Sequence, residues 1–323
     1  MSIDRDDSMK SHDDGQESAG RQSEAMHCDC FQRGERTRSC IHPSPSDEQM
    51  IGEEQVLREP EHVQSRFSRT QMLFGKPAIE TLHDARVAVF GVGGVGGYVV
   101  EVLARSGVGA IDIIDDDKVC LTNINRQIIA TSSTVGQYKV DVARQRILDI
   151  FPQCQVQTYK MFYTSANADT FDLSVFDYVV DCIDTVSAKL ELVKRCFRLN
   201  IPLLSCMGAA NKIDPTRFRV CDIYQTQGDP LARVMRKELR KLGIPSLKCV
   251  YSDEPALKPI EDDTLSCCFQ RVCTDGNMRK STERRAIPAS NAFVPAAEGL
   301  IAGGEVVKAL IYRANTFRVI HNA

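Results

Sequence analysis

At 323 residues the chain has room for one large α/β domain with an appendage or for two small domains, and we expect the former. With 43% hydrophobic and 26% charged residues the chain is globular, and its net charge of −3 excludes a general attraction to nucleic acid, so any such contact must come from a local patch. No apolar run reaches the roughly 18 residues that cross a bilayer, no signal-peptide pattern is present, and the early acidic residues argue against a mitochondrial transit peptide, which leaves a reducing cytoplasm as the expected compartment.

Residues 1–62 are rich in Ser, Asp, Glu, Gln, Arg and His without periodicity, and are expected to be disordered. Within them His27, Cys28, Cys30 and Cys40 do not have a recognised metal-ligand spacing. A helix over 66–83 is followed by a strand at 86–91, a helix at 94–106, a strand at 110–115, an irregular loop, and a helix at 136–150. In that last helix Val140, Ala143, Ile147 and Ile150 recur at intervals of three and four. Strands at 154–159 and 177–182, a helix at 185–199 and a strand at 202–206 complete an alternation. It predicts a doubly wound, mostly parallel Rossmann-like sheet whose ligand lies at the carboxyl ends of the strands.

Beyond this the pattern loosens into an α+β extension, with a substrate region over 211–313. We expect a strand pair near 211–214 and 217–223, an amphipathic helix at 229–242, a strand at 247–251, a loop from 252 to about 290, a closing helix at 295–312 and a short tail over 314–323.

RVAVFGVGGVGGYVV places Gly91, Gly93 and Gly96 in the G-x-G-x-x-G spacing, with Gly94 between them, where a strand turns into a helix whose amino end favours anions. Asp115, followed by Asp116 and Asp117, closes the second strand where a ribose acceptor sits. The glycines alone do not choose between a dinucleotide and ATP. The loop after the second strand does: Asn123, Arg126 and Gln127, then Lys139, supply two cations suited to a triphosphate, although for Arg126 or Lys139 taken alone a solvated surface position is the better reading. Asp184, after the strand DYVVDCID, suits a hard cation such as Mg²⁺; a capping role is the plainer alternative, and Asp181 is read as structural.

RFSRT, GVGGVG, DDDKVCLTNINRQ, VGQYK and DCIDT follow the order and spacing of the ubiquitin-activating-type adenylyltransferases, and the chain resembles that ThiF-like superfamily over about 63–225. The resemblance implies ATP and Mg²⁺ as cofactors. It also implies Asp115 on the ribose, Asn123, Arg126 and Lys139 on the phosphates, Asp184 on the metal, and Arg69 reaching the triphosphate from the other protomer of a homodimer. The implied chemistry is attack of a carboxylate on the α-phosphate, giving an acyl-adenylate and pyrophosphate.

NKIDPTRFRV, KCVYSDEP and FVPAAEGLIAGGEVVKALI are similar to the tRNA threonylcarbamoyladenosine dehydratase branch and extend the resemblance to 63–313. In that branch the threonyl carboxylate on tRNA is adenylated and the modification's ureido group closes a ring, with AMP displaced. Arg233, Arg236, Lys237, Arg240 and Lys241 fall on one side of the 229–242 helix and are candidate tRNA contacts, with Leu231, Val234, Met235, Leu239 and Leu242 as packing positions. A solvated face explains them equally well without the resemblance. Arg279, Lys280, Arg284 and Arg285 form a second basic group. Cys249 is the position matching a thiol that accepts the acyl group, but a ring-closing reaction supplies its own nucleophile. Cys267, Cys268 and Cys273 have no assigned role. Three other classes stay open. One is an adenylyltransferase for a ubiquitin-like sulfur carrier, working with a sulfur-transfer protein, against which the lack of any C-x-x-C weighs. The others are an NAD-dependent oxidoreductase and a catalytically silent binding module.

Overall fold

The computed structural model describes residues 65–260 and 288–319. The expected disorder of 1–62, the basic group 279–285 and Cys267, Cys268 and Cys273 lie outside them. Two short helices, α1 (Ser68–Phe74) and α2 (Lys76–Asp84), precede β1 (Arg86–Phe90), α3 (Gly96–Ser106) and β2 (Ala110–Ile114). Then come α4 (Lys139–Ile150), β3 (Gln155–Tyr159), β4 (Tyr178–Asp181), α5 (Val186–Leu199) and β5 (Leu203–Cys206). The chain continues through β6 (Phe218–Asp222), α6 (Pro230–Lys241), β7 (Lys248–Ser252) and α7 (Val294–Arg313).

The seven strands run in the order β3-β2-β1-β4-β5-β7-β6, all parallel except β6, which pairs antiparallel with β7. The reversal between β1 and β4 is the topological switch point, and β1, β2 and β4 end together beside the glycine turn. Period-2 alternation in β1 sends Val87 and Val89 to a core shared with α3, α4 and α7, and Ala88 and Phe90 to one shared with α5. A third apolar cluster joins Met235 and Leu239 of α6 to Cys249 and Tyr251 of β7.

Two elements depart from the sequence expectation. The 66–83 helix breaks at Gly75, whose φ of +94° ends α1, and Pro77 near the start of α2 suits a new first turn rather than a helix interior. The 211–214 segment is not a strand: Asn211 takes φ +61°, and Asp214 caps the short turn Pro215–Arg217. The strand that follows it, β6, pairs with β7 instead.

Helix α7 crosses α3 closely because two glycines face it: a Cβ on Gly299 would lie 2.4 Å from the Val95 carbonyl, and one on Gly303 would lie 2.6 Å from Val102 Cβ. The described part of the tail, 314–319, turns back, and the Arg318 amide donates to the Phe74 carbonyl at 2.7 Å. No helix among the described residues is long and apolar enough to cross a membrane.

Candidate active site

The glycine turn separates glycines that the fold requires from one that it does not. Gly91 adopts φ +89°, and a Cβ there would stand 2.7 Å from the Cys182 carbonyl; a Cβ on Gly96 would stand 1.8 Å from the Gly91 carbonyl. Gly94 is crowded on one side by Pro295 of α7 at 3.3 Å. Gly93 meets nothing closer than Gln127 Nε2 at 3.8 Å, so its missing side chain leaves room for a ligand rather than for the protein. No side chain caps the first turn of α3, which leaves its amino end to be satisfied from outside.

Asp115 holds this turn from β2. One of its oxygens accepts the Val92 amide at 2.7 Å and the other accepts the Asp117 amide at 2.9 Å. The expected ribose acceptor is therefore already a brace for the glycine loop, with one lone pair left on each oxygen. Burial pushes its carboxyl above the ordinary carboxylate value, and the Lys139 charge opposes that rise. Lys139, at the first position of α4, is buried and bonds Asp117 Oδ2 at 2.7 Å. Although burial disfavours its charge, Asp115 and Asp117 hold the ammonium above its ordinary value, so it stays a cation at neutral pH.

Arg126 differs from Lys139. Its guanidinium donates to the Thr122 carbonyl and Asn125 Oδ1, both at 2.9 Å, and no carboxylate pairs with it among the described residues. Burial draws its guanidinium below its ordinary value with no anion to counter the shift. Its Cγ lies 3.6 Å from where a Gly94 Cβ would stand. A half-buried cation without a counter-ion, set against an uncapped helix amino end, is a place prepared for an anion. Beside it Gln127 is buried with Oε1 unpartnered. Asn123, expected on the phosphates, uses Oδ1 to accept the Cys120 amide and so builds the turn that presents Arg126. Asn125 ties the same turn to the Ser290 carbonyl just before α7.

Asp184 is exposed past the end of β4, with Oδ1 accepting the Thr185 hydroxyl at 3.0 Å and Oδ2 without a partner among the described residues. Asp181 is buried and bonded to Lys189 at 3.0 Å and Ser205 at 2.6 Å, the structural part expected of it. The run Asp115, Asp116, Asp117 brings three carboxylates within 4.8 Å of one another, but Asp115 serves backbone amides and Asp117 serves Lys139.

Three groups of sequence candidates fall elsewhere. Cys249 is fully buried in the α6 cluster beside Cys221, and burial pushes its thiol far up, which disfavours a nucleophilic thiolate. On α6 the packing positions are Ala232, Met235 and Leu239, whereas Val234 and Leu242, expected to pack, are 43% and 47% exposed. Arg236 turns inward to bond Thr226, Lys241 pairs with Glu238 at 2.8 Å, and Arg240 stacks on Tyr224, so only Arg233 and Lys237 project without a described partner. Arg69 is exposed on α1. The adjoining Phe67 packs on His83, Phe151 and Gly107, where β1, β2 and β3 begin, at the opposite edge of the sheet from the glycine turn.

Sequence inspection missed Lys189, Lys212 and Glu298, three fully or nearly fully buried charged side chains. Only Glu298 carries a sequence signal, a lone charge within the apolar stretch VPAAEGLIAGG; Lys189 and Lys212 sit near other charged residues in sequence.

The family model of the ThiF family matches residues 67–320. The chain belongs to the ThiF family. Among its relatives in that family, the tRNA threonylcarbamoyladenosine dehydratase of Bacillus subtilis is 47% identical over 247 residues, covering 76% of this chain and 94% of that protein. The Escherichia coli enzyme of that name, solved in complex with ATP, is 34% identical with a TM-score of 0.66, covering 77% of this chain and 95% of that one. A second ThiF-like relative, the molybdopterin-synthase adenylyltransferase of Escherichia coli, is 32% identical over 57% of this chain and 72% of that protein.

Proposed function

We propose that this ThiF-family chain binds ATP at the glycine turn and uses it to dehydrate threonylcarbamoyladenosine in tRNA. The unpaired guanidinium of Arg126 against Gly94 carries the proposal, because a dinucleotide site needs no such cation whereas a triphosphate does. A carboxylate oxygen of the modified nucleoside attacks the α-phosphorus, the bond to pyrophosphate breaks, and an acyl-adenylate forms. The ureido group then attacks the acyl carbon, loses a proton, and displaces AMP. The sum is one water removed from the nucleoside and one ATP converted to AMP and pyrophosphate.

In this scheme Arg126 and Lys139 take up charge that grows on the phosphate oxygens, and the amino end of α3 adds its unsatisfied amides. Asp115 keeps the turn in shape and offers its remaining lone pairs to the ribose. Mg²⁺, when bound, would neutralise the phosphates. Asp184 is the residue suited to hold it, since that ion takes one or two carboxylates and otherwise phosphate oxygens and water. Arg233 and Lys237 are the tRNA phosphate contacts that the geometry favours on α6. The reaction belongs in the cytoplasm, in keeping with seven described cysteines that are all free thiols.

A homodimer completes the site in this proposal. Arg69 stands at the wrong edge of the sheet to serve its own glycine turn, so its place on a triphosphate is in a second copy. A sulfur-carrier substrate is the weaker candidate, since the relative that supports it covers less of the chain. Incubation with ATP and modified tRNA is expected to release AMP and pyrophosphate and lower the nucleoside mass by one water. An unchanged mass, with a ubiquitin-like carrier adenylated in its place, would select the other substrate.

A further inference from the structure

Glu298 lies one turn into α7, fully buried, with neither carboxyl oxygen hydrogen-bonded. The Met207 amide beside it already donates to the Val250 carbonyl at 2.9 Å. Two buried ion pairs flank it. Lys189 of α5 bonds Asp181, Ser205 and the Cys206 carbonyl, and so locks the ends of β4 and β5 together. Lys212 bonds Asp229 at 2.8 Å and the Ser252 carbonyl at 3.1 Å, and so locks the loop after β5 to the start of α6 and the end of β7. The same loop meets the start of α7 through Asn291, which donates to the Lys212 carbonyl and accepts the Val294 amide. Pro295, three residues before Glu298, is the wall of Gly94.

Each lysine already has its own aspartate, so an ionised Glu298 would be a fifth charge in a balanced set of four. It would have to take Lys189 from Asp181 or Lys212 from Asp229. We propose that Glu298 is a positioning residue of the adenylation site: as the uncharged acid it leaves both lysines on their aspartates, which keeps the Met207–Lys212 loop tied to the start of α7 and the start of α7 against the glycine turn. Burial pushes its carboxyl up to about 8, with Lys189, Lys212 and the nearby Met207 amide pulling it back and Asp229 pushing it further. The groups facing it are Lys189 from α5, Cys206 from β5, Lys212 from the loop and Asp229 from the start of α6, with Asp181 acting through Lys189. From α3 the neighbours of this turn of α7 are Val95 and Tyr98.

This inference rests on the ATP-dependent proposal above, and the test separates the two. The full chain, Glu298→Gln and Glu298→Ala are assayed for AMP release with modified tRNA from pH 6.5 to 9, and for ATP binding by calorimetry at pH 7 and 9. The native chain is expected to hold its rate to about pH 7.5 and to fall about tenfold by pH 9 as the acid ionises. Glu298→Gln is expected within twofold of native at pH 7 and level to pH 9, and Glu298→Ala slow throughout. An alkaline fall shared by Glu298→Gln, or a native rate level to pH 9, overturns the role. Should the variants not fold, hydrogen exchange on the native chain decides: amides of 207–212 and 294–299 must open between pH 7 and 9 beyond the intrinsic rise in exchange, and no added opening overturns it. A native chain that binds no ATP at pH 7 instead sinks the proposed function.

Discussion

Lys139 Nζ lies 2.7 Å from Asp117 Oδ2, so one of the two cations at the site is already neutralised while the other, Arg126, is not. The two residues should therefore fail differently. Arg126→Ala removes a guanidinium whose described protein partners are only the neutral Thr122 carbonyl and Asn125 Oδ1. Its melting temperature should stay near native while turnover falls roughly 10²–10³-fold, about 2.7–4 kcal/mol of transition-state stabilisation. Lys139→Ala also strips the counter-charge from half-buried Asp115 and from Asp117, so both ATP affinity and melting temperature should fall. The sign with pH follows from the direction of the Lys139 shift. Its folded pKa lies above the ordinary lysine value of 10.5, so its contribution to stability is complete below that pH and is lost as pH rises through the higher, folded value. Thermal melts with pyrophosphate release on both variants check this. A large loss of melting temperature in Arg126→Ala would show that the guanidinium supports the fold.

Gly93 and Gly96 offer a second contrast. Gly96→Ala would drive its methyl to 1.8 Å from the Gly91 carbonyl and should unfold the turn, whereas Gly93→Ala meets only the end of the Gln127 side chain. Gly93→Ala is expected to melt like the native protein and to bind ATP at least tenfold more weakly, read by calorimetry. Unchanged affinity would mean that phosphate passes elsewhere.

The glycine turn and the β-α-β unit around it were legible because period-2 strands, a 3.6-period helix and the glycine spacing all agreed locally. Asp115 was found by its place at the end of β2, but its bonds to Val92 and Asp117 depend on how the turn folds back over it. Segment 211–214 is not a strand because Asn211 is left-handed, Pro215 follows, and its one apolar residue, Ile213, is exposed rather than packed. On α6 the positions of Arg233 and Lys237 were readable, but not the inward turn of Arg236, which depends on Thr226 ten residues away in another element. Glu298 was unreadable as a site residue, since being without a partner is a property of everything packed around it.

Cys249 separates ring closure by the substrate from acyl transfer to a thiol. Its side chain is fully buried next to Cys221, with its pKa pushed well above the ordinary thiol value. Native protein should resist alkylation at this residue, as mapped by mass spectrometry. Cys249→Ala should keep turnover within a few-fold of native, with about 1 kcal/mol lost from the small cavity. Cyclase activity abolished in a folded Cys249→Ala protein would restore the thioester route.

Arg69 tests the second copy. Phe67 fixes the start of α1 where β1, β2 and β3 begin, while Arg126 and Lys139 stand at the carboxyl edge, so in the proposed homodimer Arg69 and Lys139 of one chain would serve different sites. Arg69→Ala and Lys139→Ala should each lose most activity alone. When the two are unfolded together and refolded as a mixture, half of the dimers carry one of each. In those dimers the Arg69→Ala protomer keeps its Lys139 and receives an intact Arg69 from its partner. About a quarter of native activity should return on statistical grounds, one working site in each mixed dimer. If Arg69 served its own chain, every mixed dimer would hold two broken sites and no activity would return. A monomer by light scattering, active and insensitive to Arg69→Ala, would remove the second copy from the mechanism altogether.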